Sequence, residues 1–371
     1  MTALGFALLL LIGYTYVGYP LLVGLLSRAI PRRLPVERDF EPKVSVCISV
    51  HNGASFLADK LQSLQALDYP PEHLEILVYS DGSTDDTEIL LQDFAALDPR
   101  LRVLAHPERL GKPTGLNRLR AAATGEVLLM TDIRQKLAPQ ALRALLRPLS
   151  DPSIGCVSGS LVVLGNTGPG AYWHYEKFIR SSEARLGSMV GVSGSLYAIR
   201  REDFRELPSD LLLDDMFVPL VTAGRRKRIV MSLEAEAYDH AYDDDQEFGR
   251  KVRTLAGNYQ LLVKLPWLLV PFKNPVWFQL WSHKLLRLVC PFALLGLLLA
   301  STLGAFLSPA TQLERSFCEL LTLAQLAFYV LAACGARAGR VGSLARTFVV
   351  LNAAAVVGLW RFLRKSQHVA W

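Results

Sequence analysis

LEILVYSDGSTDDT, residues 74–87, decides the fold class. Leu74–Ser80 is an apolar, β-branched run of the kind that forms a buried strand. Asp81-Gly82-Ser83-Thr84 then has the composition of a tight turn that caps a helix, and helical spacing continues to Leu97. Upstream, Val44–Val50 (VSVCISV) reads as another buried strand, followed by His51-Asn52-Gly53 and helical spacing over Ala54–Ala66. Downstream, the pattern predicts a strand over Leu101–Ala105, a helix over Thr114–Ala123 and a strand over Val127–Thr131. Strand–helix alternation with short connections predicts an α/β fold whose parallel sheet is covered on both faces. Ligands of such sheets sit beyond the carboxyl ends of the strands. His51-Asn52-Gly53, Asp81-Gly82-Ser83 and Thr131-Asp132 all fall there. From Gly155 to about Tyr242 the pattern becomes mixed, with a helix near Tyr172–Ala184, and Glu247–Val263 reads as a further helix.

The flanks of this region differ from it in composition. The chain has 371 residues, of which 51% are hydrophobic and 20% charged, an apolar balance that excludes disorder, a collagen-like repeat and a disulfide-framed secreted domain. Residues 1–27 carry no charge, nor do the 26 residues between Arg287 and Glu314 or the 17 between Glu319 and Arg337. Met1–Leu26 is long enough to cross a bilayer core of about 30 Å. Arg28, Arg32 and Arg33 follow that run rather than precede it, so it reads as a retained anchor with Arg28 onward in the cytoplasm. Arg32–Pro42 reads as a charged linker. Further spans are expected at about 288–308 and 316–335, while 347–360 is short for one. Asn274–Arg287 combines Trp277, Phe278 and Trp281 with Lys284 and Arg287, which suits a helix lying on the bilayer surface with its cations near lipid phosphates. From Leu255 to the end the net charge is +9, and over the rest it is −3. The basic balance therefore belongs to the membrane-flanking tail, and nucleic acid is not an expected partner. Cys47, Cys156, Cys290, Cys318 and Cys334 are odd in number and lack zinc-ligand spacing, so they read as small apolar residues in a reducing compartment.

Each candidate for chemistry has a plain structural reading beside the functional one. Asp81 could cap a turn or accept hydrogen bonds from a nucleotide base or ribose. Lys112, next to a helix start, could be a solvated lysine or a diphosphate contact. Asp132 could cap the segment after it or hold a divalent ion against diphosphate oxygens. Asp214-Asp215 could complement a helix dipole or supply a general base. Gly191-Val192-Ser193-Gly194 could be a loop or a backbone that approaches a sugar.

In order along the chain, these segments resemble the membrane-anchored branch of the family 2 glycosyltransferases. VSVCISVHN is similar to the family's opening strand and nucleotide loop, with His51 and Asn52. SDGSTDDT resembles its DDGSTD element, which puts Asp81 on the base-binding aspartate. GKPTGLN resembles GKxxALN and places Lys112 near the diphosphate. ATGEVLLMTDIRQ resembles the metal-binding segment, with Asp132, and GVSGSLYAIRRE the acceptor-side loop. LLDDM resembles the acidic motif whose last aspartate is the catalytic base, which points to Asp215 with Asp214 beside it.

Two departures stand out. Where the family carries Asp-x-Asp, this chain reads Asp132-Ile133-Arg134, so Arg134 could pair with phosphate directly. Polymer-making members carry Gln-x-x-Arg-Trp. Here Arg250-Lys251-Val252-Arg253-Thr254 keeps the arginine at Arg253, with Arg250 nearby, and has Thr254 for the tryptophan. The resemblance implies a GT-A (Rossmann-like nucleotide-sugar) domain at 40–265, an anchor at 1–30, an interfacial helix at 266–287 and a C-terminal membrane region of two to three helices at 288–371. It implies inverting transfer from a nucleotide-sugar, UDP-linked first, with Mg²⁺ or Mn²⁺, to a lipid-linked or saccharide acceptor, in a bacterial inner membrane with the domain cytoplasmic. A processive polysaccharide synthase and a non-catalytic nucleotide-sugar-binding protein are the alternatives.

Overall fold

The computed structural model describes residues 2–32, 40–164, 170–240, 244–307 and 311–366. Most of the expected linker at Arg32–Pro42 lies outside the described residues. An eight-stranded sheet forms the centre: β1 (Val44–Val50), β2 (Leu74–Asp81), β3 (Leu101–His106), β4 (Val127–Thr131), β5 (Lys136–Leu137), β6 (Ile154–Leu164), β7 (Leu196–Arg200) and β8 (Arg228–His240). Their order across it is β3-β2-β1-β4-β7-β6-β8-β5. The β3-β2-β1-β4 half is parallel, as the strand–helix alternation requires. The other half is mixed, because β7 runs antiparallel to both β4 and β6. Every residue of β1 and β4 is buried, which explains why both are free of charge and mostly apolar.

The helices in chain order are α1 (Thr2–Gly13), α2 (Tyr19–Ala29), α3 (Ala54–Gln65), α4 (Thr87–Leu97), α5 (Lys112–Ala122), α6 (Ala141–Leu149), α7 (Gly170–Leu186), α8 (Asp214–Gly224), α9 (Asp244–Lys264), α10 (Trp277–Gln279), α11 (Leu286–Phe306), α12 (Gln312–Cys334) and α13 (Gly339–Leu363). Among the described residues, three stretches are long and apolar enough to cross a membrane: Ala3–Ala29, Trp277–Phe306 and Gln312–Leu363. The third turns back on itself. Gly335 and Gly339 take left-handed φ values of 53° and 69°, and Phe328 of α12 packs edge-on against Phe348 of α13, centroids 5.5 Å apart. The segment 347–360, short for a span in sequence, is part of the 25-residue α13. The end of α13 packs on α9: Phe362 stacks on Tyr259 at 6.0 Å, and a Cβ at Gly358 would sit 3.0 Å from the Ala256 nitrogen.

The expected interfacial helix at Asn274–Arg287 needs correction. Short α10 leads through a π-helical turn, Leu280–Leu285, directly into α11. Lys284 and Arg287 are directed inward, not toward a lipid surface. Both bond the buried carboxylate of Glu176 on α7, at 2.8 and 2.9 Å. His283, fully buried, places Nε2 3.0 Å from Glu176 and Nδ1 2.9 Å from Glu183, whose Oε1 also accepts from Tyr19 of α2 at 2.6 Å. Buried charges of this kind persist when paired, and this network ties the first and second apolar stretches to α7.

Candidate active site

The carboxyl ends of β1, β2 and β4 lie along one edge of the sheet. Asn52 follows β1 with φ 54°, a left-handed conformation that asparagine tolerates. Its side chain bonds the Asp81 turn both ways: Oδ1 accepts from the Thr84 N–H at 2.8 Å and Nδ2 donates to Thr84 Oγ1 at 3.2 Å. His51 Nδ1 lies 2.9 Å from the Asp81 carbonyl, which accepts only, so Nδ1 carries a proton and donates. Asp81 itself is fully buried. Its two oxygens accept from the backbone N–H groups of Leu110 and Gly111, both at 2.8 Å. The turn reading is what these contacts show: Asp81 holds the loop that delivers Lys112.

Gly111 adopts φ 89° and Pro113 opens α5, so Lys112 leaves the loop at the first turn of that helix. Its Nζ lies 2.8 Å from Asp132 and 3.4 Å from Asp214, joining the end of β4 to the start of α8. Burial works against the ammonium, but Asp132 and Asp214 outweigh it and hold the pKa above the ordinary lysine value. Asp215 is pushed up to about 6, first by burial and then by Asp214, with Lys112 pulling the other way. Its carbonyl accepts from the Val192 N–H at 2.8 Å, and a Cβ at Gly194 would lie 3.6 Å from its own Cβ. The 191–195 loop thus lies directly against it. Arg253 of α9 belongs to the same field: burial lowers its pKa while Asp214, Asp215 and Asp132 oppose the change. Its Nε is buried and bonds no described residue, a donor that fits an anionic ligand. Arg250, on the same helix, is exposed.

Arg134 is held by β8. Its Nε donates to Asp239 at 2.7 Å and Nη2 to the His240 carbonyl at 2.9 Å, while Gln135 Nε2 donates to the second oxygen of Asp239. The cation in place of the usual second carboxylate is thus pinned to β8. Among the described residues no group of three His, Cys, Asp or Glu side chains could by itself hold a metal. Asp132 still fits a divalent ion of the Mg²⁺ type, which binds through one or two carboxylates and takes its other oxygens from substrate phosphates and water.

The profile of Glycosyl transferase family 2 matches residues 45–208. That range contains β1, the Asp81 turn, Lys112, Asp132 and the 191–195 loop in order. Residues 45–208 are a family 2 glycosyl transferase domain. The chain is 28% identical over 217 residues to an N-acetylglucosaminyltransferase of Rhizobium sp. (strain N33), covering 53% of this chain and 48% of the relative. It is 26% identical over 202 residues to a chondroitin synthase of Pasteurella multocida (strain Pm70), covering 51% of this chain and 20% of the relative. The chain thus spans about half the length, or less, of these curated relatives. The fold matches that of the mannosyltransferase PcManGT from Pyrobaculum calidifontis, solved with GDP-Man and Mn²⁺, at TM-score 0.77 and 23% identity, over 99% of both chains. The family 2 domain is therefore built on a GT-A fold, and the likeness extends into the helices that flank it.

Sequence reasoning missed Lys60, which is buried behind the Asp132 turn. The signal was present, since Lys60 falls on the face of α3 that buries Leu57, Leu61 and Leu64.

Proposed function

We propose that this chain is an integral-membrane inverting glycosyltransferase that moves a sugar from a nucleotide-sugar to an acceptor held at the bilayer. The observation that carries this reading is Asp215: a carboxylate raised to about 6, beside the 191–195 loop and within the field of Lys112, Asp132 and Arg253. A general base works best with a pKa near the operating pH. In the proposed reaction the acceptor oxygen bonds the anomeric carbon as the bond from that carbon to the diphosphate breaks, and the hydroxyl proton passes to Asp215. Lys112 and Arg253 neutralise the departing diphosphate, charge stabilisation of the kind that often dominates catalysis. Mg²⁺ or Mn²⁺ at Asp132, when bound, would add Lewis-acid neutralisation of the same oxygens. His51, Asn52 and Asp81 form the base end of the donor site, and Arg250 lies at its outer edge.

The donor is taken as UDP-linked, with N-acetylglucosamine the first sugar to test because relatives carry that name. The three apolar stretches support membrane insertion, with an anchor at 1–30, a transfer domain at 40–265 on the cytoplasmic face of a bacterial inner membrane, and a C-terminal membrane region that begins near Trp277. The packing of α13 on α9, which carries Arg253, supports a lipid-linked acceptor over a free saccharide. A processive synthase is the second reading, favoured by the relatives named as synthases. Thr254, where such enzymes place a stacking tryptophan, counts against it. Mass spectrometry of products made by purified membranes with a panel of nucleotide-sugars tests both: one added sugar supports single transfer, a ladder supports the synthase, and no product from any donor contradicts both.

A further inference from the structure

Lys60 is 1% exposed on the apolar face of α3, and no carboxylate lies within ion-pair distance among the described residues. A leucine or methionine would fill that space without burying a charge. Instead the ammonium donates to Thr131 Oγ1 at 2.7 Å and to the Gln135 carbonyl at 2.8 Å, the two ends of the turn that carries Asp132. Having accepted from Lys60, the Thr131 hydroxyl donates to the Ser195 carbonyl at 2.7 Å. Ser195 belongs to the loop whose Val192 N–H donates to the Asp215 carbonyl. A short series of contacts therefore runs from α3 through the end of β4 to the residue proposed as base.

We propose that Lys60 is a positioning residue of the transfer site: its ammonium clamps the 131–135 turn and, through Thr131, sets where Asp132 stands relative to Asp215. This rests on the reading of Asp132 and Asp215 given above. With Arg134 drawn away to Asp239, the turn presents Asp132 as its one acid, so its placement matters more than it would in an Asp-x-Asp segment. Burial lowers the Lys60 pKa to about 7, with Asp132 pulling upward, as expected of a cation held by neutral acceptors.

The test uses the full chain in detergent micelles. Calorimetry measures binding of UDP and of GDP in Mn²⁺, and the half-saturating Mn²⁺ concentration, for wild type, Lys60→Met, Thr131→Val and Thr131→Ser. Loss of an outer-shell partner typically weakens metal affinity about 10–100-fold. We expect a loss of that order in Lys60→Met and Thr131→Val, and near-normal binding in Thr131→Ser, which keeps the relaying hydroxyl. If Lys60→Met does not fold, the Val and Ser pair decides. Equal binding by Thr131→Val, Thr131→Ser and wild type overturns the clamp and leaves the donor reading standing. If wild type binds neither nucleotide, the donor reading falls and the clamp falls with it.

Discussion

Asp215 is the base of the proposed reaction, and its raised pKa yields two expectations. Only the ionised carboxylate can accept the acceptor's proton, so turnover should fall tenfold per pH unit below about 6 and level off above it. A pH–rate profile with no acid limb between pH 5 and 7 would count against the assignment. The stability effect has the opposite sign. Burial and Asp214 raise the folded-state pKa, so folding favours the protonated form and the ionised form destabilises the protein above about pH 6. Asp215→Asn should therefore raise the melting temperature at pH 7.5 and leave it nearly unchanged at pH 4 or below, as thermal unfolding in detergent at the two pH values can show. Much of this candidate site was legible in sequence, because Lys112, Asp132 and Asp214 each sit at an element end that local pattern reveals, whereas Arg253 lies midway along α9 and was pointed to by the resemblance alone. What could not be read was pairing across the chain. Arg134 meets Asp239 across 105 positions, and Asp81 receives its N–H donors from a loop 29–30 residues on. Nothing local to either residue encodes such a contact.

In the domain, strands and helices follow the sequence pattern closely, since burial on both faces keeps β1 and β4 uncharged and mostly apolar. The segment before α11 did not, because tryptophan and cation spacing is the same whether the cations meet lipid phosphate or a buried glutamate. The buried reading predicts a large effect. Glu176→Gln leaves Lys284 and Arg287 short of their shared counter-charge, and breaking such a buried network costs about 3–5 kcal/mol. Glu319→Gln removes an exposed i,i+4 pair with Arg315 and should change stability by about 0.5 kcal/mol or less. Denaturation of both variants in one detergent compares them. Equal effects would show that Lys284 and Arg287 do not depend on Glu176. At the α9–α13 contact, Gly358→Leu should separate the helices, because even a Cβ there meets the α9 backbone at 3.0 Å. Loss of turnover with an unchanged melting temperature would show that α13 serves the site rather than overall stability.

At the scale of the whole molecule, a family 2 domain sits on apolar helices from both ends of the chain, joined to them by the Glu176–His283–Glu183–Tyr19 network and by the α9–α13 contact. The apolar runs were visible in composition, and so was the break after residue 335, where Arg337 and Arg340 interrupt the run and the chain turns at Gly335–Gly339. What composition did not show is that the helix beyond that turn starts at Gly339, which makes 347–360 part of a 25-residue α13. The central claim is that Asp215 drives sugar transfer at a membrane. Its most direct test is radiolabelled sugar transfer by the purified chain in liposomes containing extracted bacterial lipids, with UDP-N-acetylglucosamine and a panel of other donors, comparing wild type with Asp215→Asn. The account predicts label in the lipid fraction from one donor with wild type, a loss of about 10²–10⁴-fold in Asp215→Asn, and unchanged donor binding in the variant. Transfer by Asp215→Asn at the wild-type rate would contradict it.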